Sequence, residues 1–298
     1  MAEPDLLFAV RNHFFLGAYQ AAIAEAADLE GLSETEKVER DCYVYRSYIE
    51  LGSYELVINE VSGHSAQALQ AVKILAQYMA NKTPKEEILA TLASWVVDPA
   101  CAGNATTLTV AGLIYTSEEN FVEALKACHT GLSLEMMAVS VQCYLKIDRV
   151  DQAEKQLKAM SALDDDATLT QLATAWVDLF LGGAKASEAA VIYQELGERH
   201  NWTVPLYNGA AACAMQLGNW EEAEQYLQAN CLPTDAYEKD AKNADTLANL
   251  VVVGLHLGKN TSRFSNQLKT VAPTHVAVKR LDGAYEAFDR AAAGFVAA

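Results

Sequence analysis

The chain has 298 residues and a net charge of −17, with 51% apolar residues, so it can bury a large core inside an acidic surface. That charge excludes a phosphate-backbone binder and simple attachment to anionic lipid. Only six prolines and 16 glycines, with abundant alanine, exclude a β-sandwich or long disorder and favour an all-α fold.

In chain order, one helix–turn–helix pattern recurs. A glycine or short polar turn is followed two residues later by an aromatic or apolar residue, then by a small residue three further on, then by an apolar one. "FFLGAYQAAIAEA" opens the series with Gly17 and Ala22, and "IELGSYELVINEV" repeats it with Gly52 and Val57. A weaker copy, "NKTPKEEILATLA", centres on Ala90. "TSEENFVEALKAC" and "LKIDRVDQAEKQL" lack the glycine but keep Ala124 and Ala153. "LGGAKASEAAVIY" carries Ala189 after one extra residue, and "MQLGNWEEAEQYL" carries Gly218 and Ala223. A late copy, "LHLGKNTSRF", keeps only Gly258.

The small positions are separated by 35, 33, 34, 29, 36 and 34 residues, which clusters on the tetratricopeptide period. The glycine ends the first helix in a left-handed conformation, and the small residue lets two antiparallel helices approach. One hairpin cannot bury its own apolar faces, so neighbours must stack. The pattern predicts a right-handed α-solenoid of about eight hairpins over 1–270, the third and eighth degenerate. Residues 271–298 read as a C-terminal capping helix, with Leu281, Tyr285, Phe288, Ala292 and Phe295 on its packed face. The polar connection "NCLPTDAYEKDAKNADT" precedes the eighth hairpin, broken by Pro233.

Chemistry-bearing patterns are weak. "GLHLGKN" at 254–260 has the wrong glycine spacing for a phosphate loop and sits at a helix end. The acids at 164–166 lack the alternation of a calcium loop and read as a helix start. Six histidines are dispersed, and the adjacent Cys128 and His129 point different ways on a helix. The six cysteines form no CxxC pair and read as core residues. The reading is a non-enzyme with no cofactor and no metal. The acidic N-terminus and the lack of an apolar run of ~20 residues place it in the cytosol, where sequons at Asn81, Asn104, Asn201 and Asn260 would stay unmodified.

Function then falls to the inner face of the solenoid, lined by the first helix of each hairpin. Predicted partner contacts are Arg46, Leu75, Met79, Leu113, Gln142, Val177, Phe180, Asn208, Met215, Val252 and Leu255. Most are apolar, which calls for a permanent partner. A transient peptide-binding co-chaperone is the alternative. Its basic clamp is missing, because Leu7, Arg11, Cys42, Tyr43 and Arg46 stand at or near the matching positions.

Longer stretches go beyond the repeat pattern: "LFAVRNHFFLGAYQAAIAEA", "SLEMMAVSVQCYLKIDRVDQAEKQLKAM", "DDDATLTQLATAWVDL", "NGAAACAMQLGNWEEAEQYLQ" and "TLANLVVVGLHLGK". Through them the chain resembles the epsilon-subunit family of coatomer, the coat of COPI vesicles. The resemblance implies a non-catalytic coat subunit that binds and stabilises the C-terminal domain of the coatomer alpha subunit by curling around an extended projection of it. It also implies a cytoplasmic complex peripheral on Golgi membranes and coated vesicles, with contact to other coatomer subunits indirect, acting in Golgi-to-endoplasmic-reticulum and intra-Golgi transport.

Overall fold

The computed structural model describes residues 5–63, 65–101, 103–229 and 243–296. Among them are 17 α-helices and no strand. The helices pair as α1 (Phe8–Phe15) with α2 (Tyr19–Ala27), α3 (Glu34–Glu50) with α4 (Tyr54–Glu60), and α5 (Gln67–Met79) with α6 (Lys85–Val97). Then come α7 (Ala105–Ser117) with α8 (Phe121–Cys128) and α9 (Leu134–Lys146) with α10 (Val150–Leu163), followed in the chain by α11 (Thr168–Leu181) and α12 (Ala184–His200). The last pairs are α13 (Val204–Gln216) with α14 (Trp220–Ala229) and α15 (Ala244–His256) with α16 (Ser262–Val271), followed by α17 (Val276–Val296). The architecture is an α-solenoid built of tetratricopeptide-like hairpins.

Turn chemistry explains the pairing. After α3, the N–H of Gly52 donates to the Ile49 carbonyl at 2.9 Å and that of Ser53 to the Tyr48 carbonyl at 2.8 Å, which satisfies two orphan carbonyls of the helix end. The same pair of bonds closes seven hairpins. The left-handed residue is glycine in four of them, at 17, 52, 218 and 258. Where glycine is lost, Asn81, Glu119 and Asp148 take the same conformation at φ of 52°, 59° and 59°. The geometry therefore persists at positions that cost an ordinary side chain about 1–2 kcal/mol. The sixth turn uses two left-handed residues, Gly182 and Gly183.

In most second helices the close-contact position lies three residues after the first residue. Ala22, Val57, Ala124, Ala153 and Ala223 are all fully buried there. In the third hairpin the expected Ala90 is exposed, and Ile88 holds the buried position instead. The turn before α6 is longer and ends in Pro84, the N-cap, so the contact residue is displaced from the place that simple periodicity assigns. In α12 both Ala186 and Ala189 are fully buried, which accounts for the extra residue in that copy.

The four sequon asparagines have turn roles. Asn81 is a left-handed turn residue, the Asn104 side chain caps α7, Asn201 ends α12 at φ 69°, and Asn260 Oδ1 accepts from the Ser262 N–H at 2.9 Å. Cys42, Cys101, Cys128, Cys143 and Cys213 are buried free thiols, while Cys231 and Pro233 lie outside the described residues.

The chain divides into two compact units at Phe180/Leu181. The first unit closes on itself. Thr168 Oγ1 at the start of α11 donates to Asn12 Oδ1 of α1 at 2.9 Å, and Phe15 packs against the core that joins α9, α10 and α11. This contact explains "DATLTQLATAW". Leu169, Ala173 and Val177 of α11 are buried with that same core, so the helix has to serve two neighbours.

In the second unit Tyr193 lies so close to Gly209 that a Cβ there would sit 2.3 Å from its ring, which draws α13 onto α12. Trp220 stacks on His256 with ring centroids 3.7 Å apart, tying α14 to α15. The helix α17 forms as expected but does not pack along its length. Val278 is buried against Leu247 and Leu268, whereas Tyr285, Phe288 and Phe295 are 60%, 70% and 85% exposed. The capping role is thus confined to the first turns of α17, because α15 and α16 end before its outer half.

Candidate functional site

The first unit contains a cavity of about 580 Å³ where the starts of α3, α5, α7 and α9 come together. Three of these four helices, α3, α7 and α9, begin at side-chain caps. Ser33 and Glu36 form a reciprocal capping box on α3, Asn104 Oδ1 accepts from the Thr107 N–H at 2.9 Å, and Ser133 Oγ accepts from the Met136 N–H at 3.3 Å.

The wall is mostly small or apolar, with Val38, Ala66, Ala68, Ala105, Thr106 and Thr109, and carboxylates of Glu34 and Glu39 lie beside it. At one side Arg46 of α3 meets Glu135 of α9, 89 residues later, in a bidentate ion pair whose Nη1–Oε2 distance is 3.0 Å. The guanidinium also lies over the Phe14 ring, 4.5 Å from its centroid, and near Tyr43. Phe14 and Tyr43 are themselves in edge-to-face contact at 5.3 Å.

Burial shapes the titration of these groups. It works against the Arg46 cation, but the Glu135 carboxylate outweighs it and holds the pKa above the ordinary value. Burial pushes the Tyr43 hydroxyl up, helped by Glu135, and pushes the Cys42 thiol up to about 12. A cysteine so protonated is no nucleophile at neutral pH, and no histidine is among the described residues of the wall. The cavity is of a size that seats a ligand or a short chain segment, and its chemistry is that of binding.

Of the eleven predicted contact residues, only Arg46 lines this cavity. It is 6% exposed and committed to Glu135, so it supports the wall and does not present a free cation to a partner. Leu75 and Val177 are corrected to core residues, buried in the clusters around α5 and α11. Asn208 is corrected to a structural hub. Its amide donates to Thr246 Oγ1 at 2.8 Å and accepts from Asn249 Nδ2 at 2.9 Å, joining α13 to α15. Met215 packs partly against the Ala223–Leu227–Val253 cluster, and Leu113 against the core of the first unit. Gln142 is half-buried. Met79, Phe180, Val252 and Leu255 are exposed, at 43%, 44%, 43% and 62%.

Apart from Arg46 and Asn208, the predicted residues sit towards the turn ends of the first helices, while the cavity is built mainly from the opposite ends. The turn motif drew attention to the former. The signal for the latter was the series of cap residues, Ser33, Asn104 and Ser133, each opening a first helix.

A family profile described as "Coatomer epsilon subunit" matches residues 3–296. The chain is 48% identical over 295 residues to coatomer subunit epsilon-1 of Arabidopsis thaliana, covering 99% of each chain. It is 33% identical over 282 residues to coatomer subunit epsilon of Dictyostelium discoideum, covering 91% of this chain and 92% of the other. Among solved structures, it is similar in fold to a tetratricopeptide repeat protein from Parabacteroides merdae, with a TM-score of 0.58 at 14% identity and coverage of 93% and 96%. A chain of the APC/C hetero-tetramer Cut9–Hcn1 gives a TM-score of 0.60 at 13% identity, over 90% of this chain and about half of that one, 53%.

Proposed function

The chain belongs to the coatomer epsilon-subunit family, and from that premise we propose that its cavity-bearing first unit holds a segment from the C-terminal domain of the coatomer alpha subunit. The protein is a non-catalytic structural subunit of the COPI coat and a member of the coatomer complex. Its proposed role is to bind and stabilise the alpha subunit, in a cytoplasmic complex that is peripheral on Golgi membranes and serves Golgi-to-endoplasmic-reticulum and intra-Golgi transport.

The observation that carries the proposal is the cavity between the starts of α3, α5, α7 and α9, fenced by the Arg46–Glu135 pair. An extended segment placed there would exchange solvent for the Val38, Ala68 and Thr109 wall, with main-chain groups left to pair with the polar rim. Met79 and Phe180 in the first unit, and Val252 and Leu255 in the second, are offered as further apolar contacts.

The test is co-expression of the full chain with the C-terminal region of the alpha subunit, then size-exclusion chromatography at physiological salt. Wild type should co-elute with it. Thr106→Trp, which fills the cavity from a half-buried position, should elute apart while keeping its helical circular dichroism. Equal co-elution of both would refute the cavity as the seat. Binding of an acidic C-terminal peptide would instead favour the co-chaperone reading, which the glutamates beside the cavity oppose.

A further inference from the structure

Beyond the cavity, the least satisfied surface among the described residues is the outer half of α17. Val278, Leu281, Tyr285, Phe288, Ala292 and Phe295 recur at spacings of three and four, which is the seam of a coiled-coil helix. The inner end of the seam is buried, and ion pairs from Lys269 to Asp282 at 2.7 Å and from His275 to Asp245 at 3.1 Å hold its root on α15 and α16. The outer end exposes three aromatic rings on one strip.

The strip has two unlike edges. On the outer half, helical spacing puts Glu286 and Asp289 along one, and Ala284, Ala287, Ala291 and Gly294 along the other. We propose that this strip docks an amphipathic helix of a partner protein whose apolar seam is edged with lysine or arginine. The small edge lets the partner's backbone approach closely, and the acidic edge selects its charge. Three aromatics bury roughly 150–250 Å² each, so strip and matching seam together reach the roughly 1,000 Å² of a specific contact.

Charge decides against the other occupants. A second copy laid antiparallel brings the Glu286–Asp289 edges of the two helices together, between chains that each carry −17. A lipid surface needs a basic rim, and the outer half of this helix has one cation, Arg290, against Glu286 and Asp289.

The experiment titrates the full chain into a labelled three-heptad peptide with leucine at its seam and lysine at its edges, and into the same peptide with glutamate edges, read by fluorescence anisotropy at physiological salt. The lysine-edged peptide should bind at least about tenfold more tightly, a difference of about 1.4 kcal/mol. Phe288→Asp should weaken it by about tenfold or more, although the variant adds negative charge, and its circular dichroism should be unchanged because the site is exposed. Glu286→Lys with Asp289→Lys should reverse the peptide preference. The proposal is overturned if Phe288→Asp binds as well as wild type, since general charge attraction would then be the cause. It is equally overturned if the preference does not reverse, or if Phe288→Asp abolishes either a dimer seen by light scattering or binding to phosphatidylserine vesicles.

Discussion

Breaking the Arg46–Glu135 pair should open the first unit, and the size of the effect follows from its burial. Glu135→Leu leaves the Arg46 guanidinium 6% exposed beside the Phe14 ring, without its carboxylate. At about 4 Å and an effective dielectric of ~20, the lost attraction is about 4 kcal/mol. Breaking a buried pair from one side costs about 3–5 kcal/mol, because the remaining charge is left uncompensated. Phe14 returns part of that through its cation–π contact, about 1 kcal/mol, so about 3 kcal/mol is expected. In urea, with a slope of about 2 kcal/mol/M, the midpoint of the affected transition should fall by about 1.5 M. Hydrogen exchange should quicken in α1 and α11 as well as in α3 and α9, because the closure of the unit is shared among them. The double variant Arg46→Met with Glu135→Leu should recover to within about 1 kcal/mol of wild type, giving a coupling of at least about 2 kcal/mol. Additive losses in the double variant, or single losses below about 1 kcal/mol, would refute the reasoning.

Two further outcomes follow from the turns and the thiols. Glu119→Gly and Asp148→Gly relieve left-handed side chains at φ 59°, and each should raise stability by about 0.5–1 kcal/mol after the entropy of glycine is deducted. Thermal melting that is unchanged or lowered would show that those side chains carry unrecognised contacts. Burial raises the thiols of Cys42, Cys128 and Cys213 to about 12. Their native values exceed the unfolded ~8.5, so stability is complete below that pH and is lost as pH climbs towards 12, by up to about 1.4 kcal/mol per pH unit for each thiol. A urea midpoint that stays flat between pH 8 and 11 would contradict their burial.

Local rules were legible in the sequence because they act within a few residues. The turn glycines, the buried alanines at 22, 124, 153 and 223, and the identity of each helix all arise from short-range sterics. The third hairpin escaped by two residues because its turn is longer and ends in proline. The candidate site was not legible for a different reason. Arg46 and Glu135 are 89 residues apart, and Asn12 and Thr168 are 156 apart, so no periodicity within one repeat announces their meeting. Which end of the first helices encloses the cavity depends on how successive hairpins rotate, and a 34-residue pattern says little about that. For α17 the apolar seam was readable, but its use was not. A face that packs within its own chain and one that waits for a partner have the same spacing.

The bond between Asn12 and Thr168 also imposes a timetable on synthesis. Hairpins stacked on neighbours can settle as soon as the next one leaves the ribosome. The first hairpin builds its own core with α3, but Asn12 and Phe15 wait for α11, encoded 156 residues later. At about 5–20 residues per second the nascent chain carries Phe15 without its final seat for about 8–30 s. The beginning of this protein is therefore among the last parts of its first unit to reach its final environment.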